Sequence, residues 1–98
     1  MEITFKNKKI KKVCEDASFA ERKYGKRTAE LLHQRIDEIK ASYSVEIMVK
    51  FRIGRCHPLT NNRKGQYAVD LEHPYRLIFE KVGDEIQIAH IIEIVDYH

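Results

Sequence analysis

The sequence contains few of the residues that interrupt or crosslink a chain. Its 98 residues include two prolines, four glycines, two cysteines and no tryptophan. No segment has the composition of a linker, and none repeats at the period of a solenoid or a propeller. We therefore expect residues 1–98 to form a single domain, which is large enough to bury one core without crosslinks.

The usual signs of export, membrane insertion and metal binding are also missing. No apolar run approaches the roughly 20 residues that cross a bilayer, and the first residues lack the apolar core of a signal peptide. Cys14 and Cys56 lie far apart, and no Cys or His pair has zinc-site spacing. Gly-rich phosphate loops and the HExxH, GxSxG and EF-hand motifs are absent. We expect a cytoplasmic protein with free thiols, no metal, no cofactor and no membrane contact.

Acidic residues are scarce in the first two thirds of the chain. Residues 1–64 contain 16 Lys and Arg against 8 Asp and Glu, whereas residues 65–98 contain 2 against 7, and the net charge is +3. This division predicts a polarised protein whose basic side meets phosphate groups. A surface of ordinary solvated lysines explains the same counts, so both interpretations stay open.

The first half of the chain has helical periodicity. Asn7 is a suitable cap for a helix over Lys8–Glu15. The S-x-x-E spacing of Ser18 and Glu21 predicts a capping box at the start of a long helix that ends near Ala41.

Two features of this half permit two interpretations each. Gly25 either weakens the long helix by about 1 kcal/mol or separates two helices. Residues 44–51 fit a strand by their β-branched content, and they fit a short helix because Ser44 is a good cap.

The remaining segments alternate apolar and polar residues, which is typical of half-buried strands. Strands are predicted near Glu2–Phe5, Arg55–Leu59, Tyr67–Leu71, Tyr75–Phe79 and from Ile86 onwards. The turns between the later strands are short and therefore predict antiparallel neighbours. The expected class is α+β, with N-terminal helices packed on one face of a small, mainly antiparallel sheet. The other face would be open and would carry Gln66, Asp70, Arg76 and Glu80.

Two residues of the sheet half are candidates for chemistry. Arg76 lies in the middle of a strand, where a guanidinium binds phosphate oxygens well. It equally fits a cross-strand ion pair with Asp70, Glu80 or Glu93. His57 precedes Pro58 at a strand end, and it either transfers a proton or simply bonds to a neighbour.

Two further groups of residues each permit a functional and a purely structural interpretation. The chain ends in Asp96-Tyr97-His98, three groups capable of acid and base chemistry or a polar tail. Strand alternation places Tyr97 opposite to Asp96 and His98 unless the strand bends. One face of the predicted first helix carries Lys8, Lys11 and Lys12. These lysines contact nucleic acid or an acidic partner, or they form an ordinary solvated face.

Four segments, in this order, resemble the HigB toxins of the RelE/ParE superfamily: Arg55–Leu59, Arg63–Tyr67, Pro74–Phe79 and Glu93–His98. The resemblance implies the two-layer fold described above, with the active surface on the open face of the sheet. It implies the toxin of a type II toxin-antitoxin system, which cleaves mRNA in the ribosomal A site. It also implies a helix-turn-helix antitoxin similar to HigA, and contact with operator DNA only through the toxin–antitoxin complex.

The resemblance implies a catalytic set consisting of His57, Arg76, Asp96, Tyr97 and His98. With the charge distribution, it suggests contacts to RNA or the ribosome from Arg55, Arg63, Lys64, Lys8, Lys11 and Lys12. This chain departs from the family at Thr60, where similar toxins often carry a lysine.

These residue types suit a metal-independent ribonuclease, in which the RNA 2′-OH attacks the adjacent phosphate. Arg76 would stabilise the phosphorane, and His57 and His98 would serve as base and acid in either order. Asp96 would orient a histidine, and Tyr97 would stack on a base or donate to phosphate. Two alternatives are a ParE-like gyrase inhibitor on the same fold and a non-enzymatic module that binds nucleic acid or protein.

Overall fold

The computed structural model describes residues 1–97, so the expected role of His98 concerns a residue outside the described part. Within this range the helices are α1 (Lys8–Glu15), α2 (Ala17–Tyr24), α3 (Lys26–Ala41) and α4 (Val45–Lys50). The strands are β1 (Glu2–Phe5), β2 (His57–Pro58), β3 (Gln66–Asp70), β4 (Tyr75–Val82) and β5 (Ile88–Asp96). No helix in residues 1–97 is long and apolar enough to cross a membrane.

Polar caps determine where the first two helices begin. The side chain of Asn7 accepts a hydrogen bond from the Ile10 N–H at 3.0 Å, as predicted. Asp16 accepts one from the Phe19 N–H at 3.0 Å and is the cap of α2. The predicted capping box at Ser18 is therefore wrong, because the aspartate two residues earlier already starts the helix.

The structure decides both ambiguous features of the first half: Gly25 is a boundary between two helices, and the segment after Ser44 is a helix. Gly25 has a φ of +90°, a conformation that glycine adopts without strain, and it separates α2 from α3. The hydroxyl of Ser44 accepts a hydrogen bond from the Ile47 N–H at 3.2 Å. Residues 45–50 therefore form a helix, and the cap has outweighed their β-branched content.

The five strands form one sheet in the order β1-β5-β4-β3-β2. β1 runs parallel to β5, and the other neighbouring pairs are antiparallel. The long helical segment between β1 and the later strands permits the parallel pair, because no short turn links β1 to its neighbour. The predicted α+β class with a mainly antiparallel sheet is confirmed.

Two predicted strands are shorter than expected. The strand predicted over Arg55–Leu59 is reduced to β2, because a 3-10 turn over Ile53–Arg55 precedes it. The strand predicted from Ile86 begins at Ile88 instead. The Ile86 side chain is 89% exposed and belongs to the connection between β4 and β5.

The two faces of the sheet pack against different partners. One face joins the helices in the main core, which includes Ile10, Leu32, Ile39, Met48, Leu77, Phe79 and Ile91. On the other face, called the open face below, a small cluster of the described residues is buried, consisting of Ala68, Ile78 and Ile92. Cross-strand partners share a face, and Gln66 pairs with Glu80 and Asp70 with Arg76 beside the Ala68–Ile78 pair. The prediction for these four polar residues is confirmed.

A buried glutamine ties the start of α4 to the turn between β4 and β5. The Gln87 side chain, in a residue only 6% exposed, accepts from the Val45 N–H at 2.8 Å. Its amide donates to the Asp84 carbonyl at 2.9 Å and to Glu46 at 2.6 Å.

We expect Gln87→Leu to lower the free energy of unfolding by about 1–3 kcal/mol, because the Val45 N–H loses its buried acceptor. Urea unfolding, with the exposed Gln34→Leu as control, checks this; equal losses would contradict it.

Candidate functional site

A cleft of about 450 Å³ lies at the β2 edge of the sheet. The end of α4, the following turn, β2 and β4 provide its walls. We call it the basic cleft, and its lining consists of Val49, Lys50, Arg52, Arg55, Cys56, His57 and Arg76. Four cations and one imidazole thus share a cavity in which none of the lining residues from the described range 1–97 is acidic.

An unusual turn presents two of these cations. Arg52 and Arg55 have φ values of 54° and 56°, in the left-handed region that side chains other than glycine rarely adopt. Gly54 lies between them at a φ of 59°, and a Cβ there would lie 2.7 Å from Arg35 Cδ. Arg35 Nε also donates to the Asp70 carbonyl at 2.6 Å. Arg35 of α3 therefore packs under the turn and fastens it to the end of β3.

Arg76 forms the cross-strand ion pair that was one of its two predicted roles. Its Nε lies 3.3 Å from Asp70 Oδ1, and Arg55 Nε lies 3.3 Å from Asp70 Oδ2. The Arg76 guanidinium also lies 4.8 Å from the centre of the Tyr97 ring, which is a cation–π contact. The Arg76 side chain remains 33% exposed, so its pairing with Asp70 leaves it accessible from the cleft.

The hydrogen bond of His57 determines which ring nitrogen carries the proton. His57 Nδ1 lies 2.8 Å from the Arg55 carbonyl oxygen. A carbonyl oxygen only accepts, so Nδ1 must be the N–H in this contact. In the neutral ring the lone pair then resides on Nε2, which is the arrangement of a general base. His57 pairs in register with Ala68 and therefore shares the open face with Arg76.

Arg63 and Lys64 lie outside the basic cleft. Arg63 pairs with Glu93 and donates to Gln66 Oε1 at 2.8 Å, and Gln66 in turn donates to Glu80 at 3.2 Å. Lys64 is exposed in the turn before β3. The charge of Arg63 is thus compensated on the open face, beside the cleft rather than in it.

The end of β5 divides its two described polar residues between the faces. Tyr97 donates its N–H to the Pro74 carbonyl at 2.9 Å and packs against Arg76 on the open face. Asp96 pairs in register with Tyr75, the residue next to Arg76, and so belongs to the opposite face.

The lysines of α1 are far from the basic cleft. Lys8 and Lys11 line a separate cavity beside β1, which is the outer strand at the other edge of the sheet from β2. Lys11 lies 4.0 Å from Glu15, and Lys12 lies 4.5 Å from the centre of the Phe19 ring. These three lysines do not join the site formed by His57 and Arg76.

Sequence reasoning missed Lys50 and Arg52. Both are cleft residues, and Lys50 also lies 5.5 Å from the centre of the Phe51 ring. The sequence does show Lys50, Arg52 and Arg55 within the seven residues before His57, although it does not show that they share a cavity. Chemically, the cleft offers cations and an imidazole. Within residues 1–97, no group of three or more His, Cys, Asp and Glu side chains is arranged to hold a metal ion.

Both cysteines are buried free thiols. Burial raises the pKa of Cys14 to about 12, with a further contribution from Glu15, and burial raises the pKa of Cys56 to about 12. Since the thiolate is the reactive form, we expect no labelling by a disulfide reagent at pH 7.5 until denaturant is added. The thiols ionise more easily when unfolded, so their contribution to stability is complete below pH 9 and is lost toward pH 12. Rapid labelling of the folded protein would contradict this.

Comparison with known proteins shows a likeness in fold. No protein-family model matches the sequence, and no curated protein matches it. Among solved structures, a YoeB/ParE toxin from Agrobacterium tumefaciens superposes with a TM-score of 0.67 at 15% identity, and all of both chains is covered. The chain has the fold of this toxin. The two-layer fold implied by the sequence is therefore confirmed, and membership of the RelE/ParE superfamily and the HigB type stay predictions.

Proposed function

We propose that this chain is a HigB-type toxin that cleaves mRNA in the ribosomal A site and is neutralised by a helix-turn-helix antitoxin. The observation that carries the proposal is the basic cleft, in which His57 and Arg76, on one face of the sheet, lie together with Arg52 and Arg55 of the turn before β2. A general base and a cluster of guanidiniums are what RNA cleavage by the 2′-OH requires. The fold shared with a YoeB/ParE toxin supports it.

His57 is the general base in this proposal. Its Nδ1–H is held by the Arg55 carbonyl, so Nε2 is available to take the proton of the RNA 2′-OH. The 2′-oxygen then attacks the adjacent phosphorus, and the bond from phosphorus to the 5′-oxygen breaks. The products are a 2′,3′-cyclic phosphate and a 5′-hydroxyl. His98 is the proposed acid that protonates the leaving 5′-oxygen.

Arg76 stabilises the charge that develops on the phosphorane. Its guanidinium is held from one side by Asp70 and from another by the Tyr97 ring, so it needs little reorganisation when charge builds up. Lys50 and Arg52 extend the positive surface of the cleft toward neighbouring phosphates. The cleft is open, so the ribosome positions the mRNA, and free RNA is a poor substrate.

The test is to express the chain with and without the antitoxin and to map mRNA ends by primer extension. The proposal predicts growth arrest with cuts in phase with the reading frame, both suppressed by the antitoxin. DNA breaks without mRNA cleavage would indicate the gyrase inhibitor instead. Salt-sensitive RNA binding without any product would indicate a binding module.

A further inference from the structure

One carboxylate lies between two arginines of the basic cleft. Asp70 Oδ1 is 3.3 Å from Arg76 Nε, and Asp70 Oδ2 is 3.3 Å from Arg55 Nε. The two arginines come from different elements, β4 and the 3-10 turn, so Asp70 is the group that links them. Each of these two contacts is made by the Nε atom of the guanidinium.

Asp70 is itself held rigidly. Its backbone pairs with that of Arg76 across the two strands, and its carbonyl accepts from Arg35 Nε at 2.6 Å. The side chain is only 23% exposed, and its Oδ1 is buried and has no well-aligned hydrogen bond within residues 1–97. This position is costly for stability, because a buried acceptor without a well-formed hydrogen bond is unfavourable.

We propose that Asp70 is a positioning residue that holds Arg55 and Arg76 as a pair, so that both guanidiniums meet one phosphodiester. The inference rests on the proposed function and deepens it. Long arginine side chains are flexible, and a shared carboxylate restricts them before the substrate binds. The resemblance placed Arg76 in the catalytic set and Arg55 among the contacts to RNA or the ribosome; the proposal gives the two guanidiniums one shared role.

A positioning role and a purely electrostatic role of Asp70 predict different effects of Asp70→Asn on RNA binding and on the rate of cleavage. The variant removes a negative charge that lies against two arginines of the cationic cleft, which by itself strengthens RNA binding. Loss of positioning instead leaves binding intact and lowers the rate of the chemical step, since a misplacement of about 1 Å costs up to about 100-fold. We therefore expect kcat to fall by about 10-fold to 100-fold while KM stays equal or decreases.

The kinetic experiment measures cleavage of a defined mRNA on programmed ribosomes. Asp84→Asn, in the exposed connection between β4 and β5, is the control for an equal change of net charge. Asp70→Glu keeps the charge and is expected to recover part of kcat. An Asp70→Asn variant with unchanged kcat, or with a loss confined to KM, would overturn the inference.

A second measurement does not depend on cleavage. NMR signals of the Arg55 and Arg76 Nε–H groups, assigned with Arg55→Lys and Arg76→Lys, report the order of the two side chains. In the wild-type protein both groups are expected to be ordered and to shift together during titration with inorganic phosphate. In Asp70→Asn both are expected to be mobile and to shift independently.

The two measurements separate the two claims. If the wild-type chain cleaves nothing while its arginine signals behave as expected, the proposed function fails and the pairing by Asp70 stands. If the two signals are equally mobile in the wild-type and Asp70→Asn proteins, the inference about Asp70 is overturned, whatever the cleavage assay shows.

Discussion

Replacing Arg76 with alanine is expected to lower mRNA cleavage by about 100-fold to 1,000-fold and to relieve growth arrest. A preorganised donor that meets developing charge contributes an effect of this size. Arg76 also contacts both Asp70 and the Tyr97 ring, so its removal unsettles the neighbouring side chains of the cleft. Primer extension after induction, calibrated against protein level, measures the loss.

The matched control is Arg27→Ala. Arg27 lies on α3 in an exposed pair with Glu30 at 3.9 Å and is not part of the basic cleft. Its replacement is expected to leave cleavage unchanged. Arg76→Lys separates charge from geometry, because lysine keeps the charge and lacks the planar fork. Full toxicity of a folded Arg76→Ala variant would show that the site has been misassigned.

Replacing His57 with glutamine is expected to lower cleavage by about 100-fold to 10,000-fold, which is the usual contribution of a positioned base. Glutamine still hydrogen-bonds and has a similar size, but its amide takes up no proton at neutral pH. The fold should survive, because His57 lies in a two-residue edge strand and, within residues 1–97, its ring bonds to the exposed Arg55 carbonyl. Single-turnover cleavage on ribosomes measures the chemical step.

His33→Gln is the control for this substitution. His33 is exposed on α3, with its Nε2 3.5 Å from Asp37, and it is far from the lining of the cleft. We expect wild-type cleavage from this variant. A His57→Gln protein that cleaves as fast as the control would assign the base to another group.

Much of the sheet could be predicted from local pattern. Alternation with a period of two predicted that Asp70 and Arg76 lie on the open face. The structure pairs the two residues across neighbouring strands, and such partners share a face. The parallel pairing of β1 with β5 could not be predicted, since it depends on contacts between the two ends of the chain. The cap of α2 was misread because Asp16 and Ser18 are both good caps, and the sequence does not rank them.

The sequence predicted some of the residues of the candidate site, but it did not predict how they are placed relative to one another. His57 and Arg76 were singled out from residue type and strand position, and the ion pair of Arg76 with Asp70 was one of two expected outcomes. The contributions of Lys50 and Arg52 depend on a left-handed turn stabilised by Arg35 against Gly54, a contact between distant parts of the chain. No local pattern encodes such a contact.

The central claim is that the basic cleft cuts RNA through attack by the 2′-OH on its own phosphate. Its most direct test is the chemical identity of the ends produced on ribosomes programmed with a defined mRNA. The account predicts a 2′,3′-cyclic phosphate on the upstream fragment and a 5′-hydroxyl on the downstream fragment, both missing with Arg76→Ala. Ends that carry a 3′-hydroxyl and a 5′-phosphate, or intact mRNA, would contradict it.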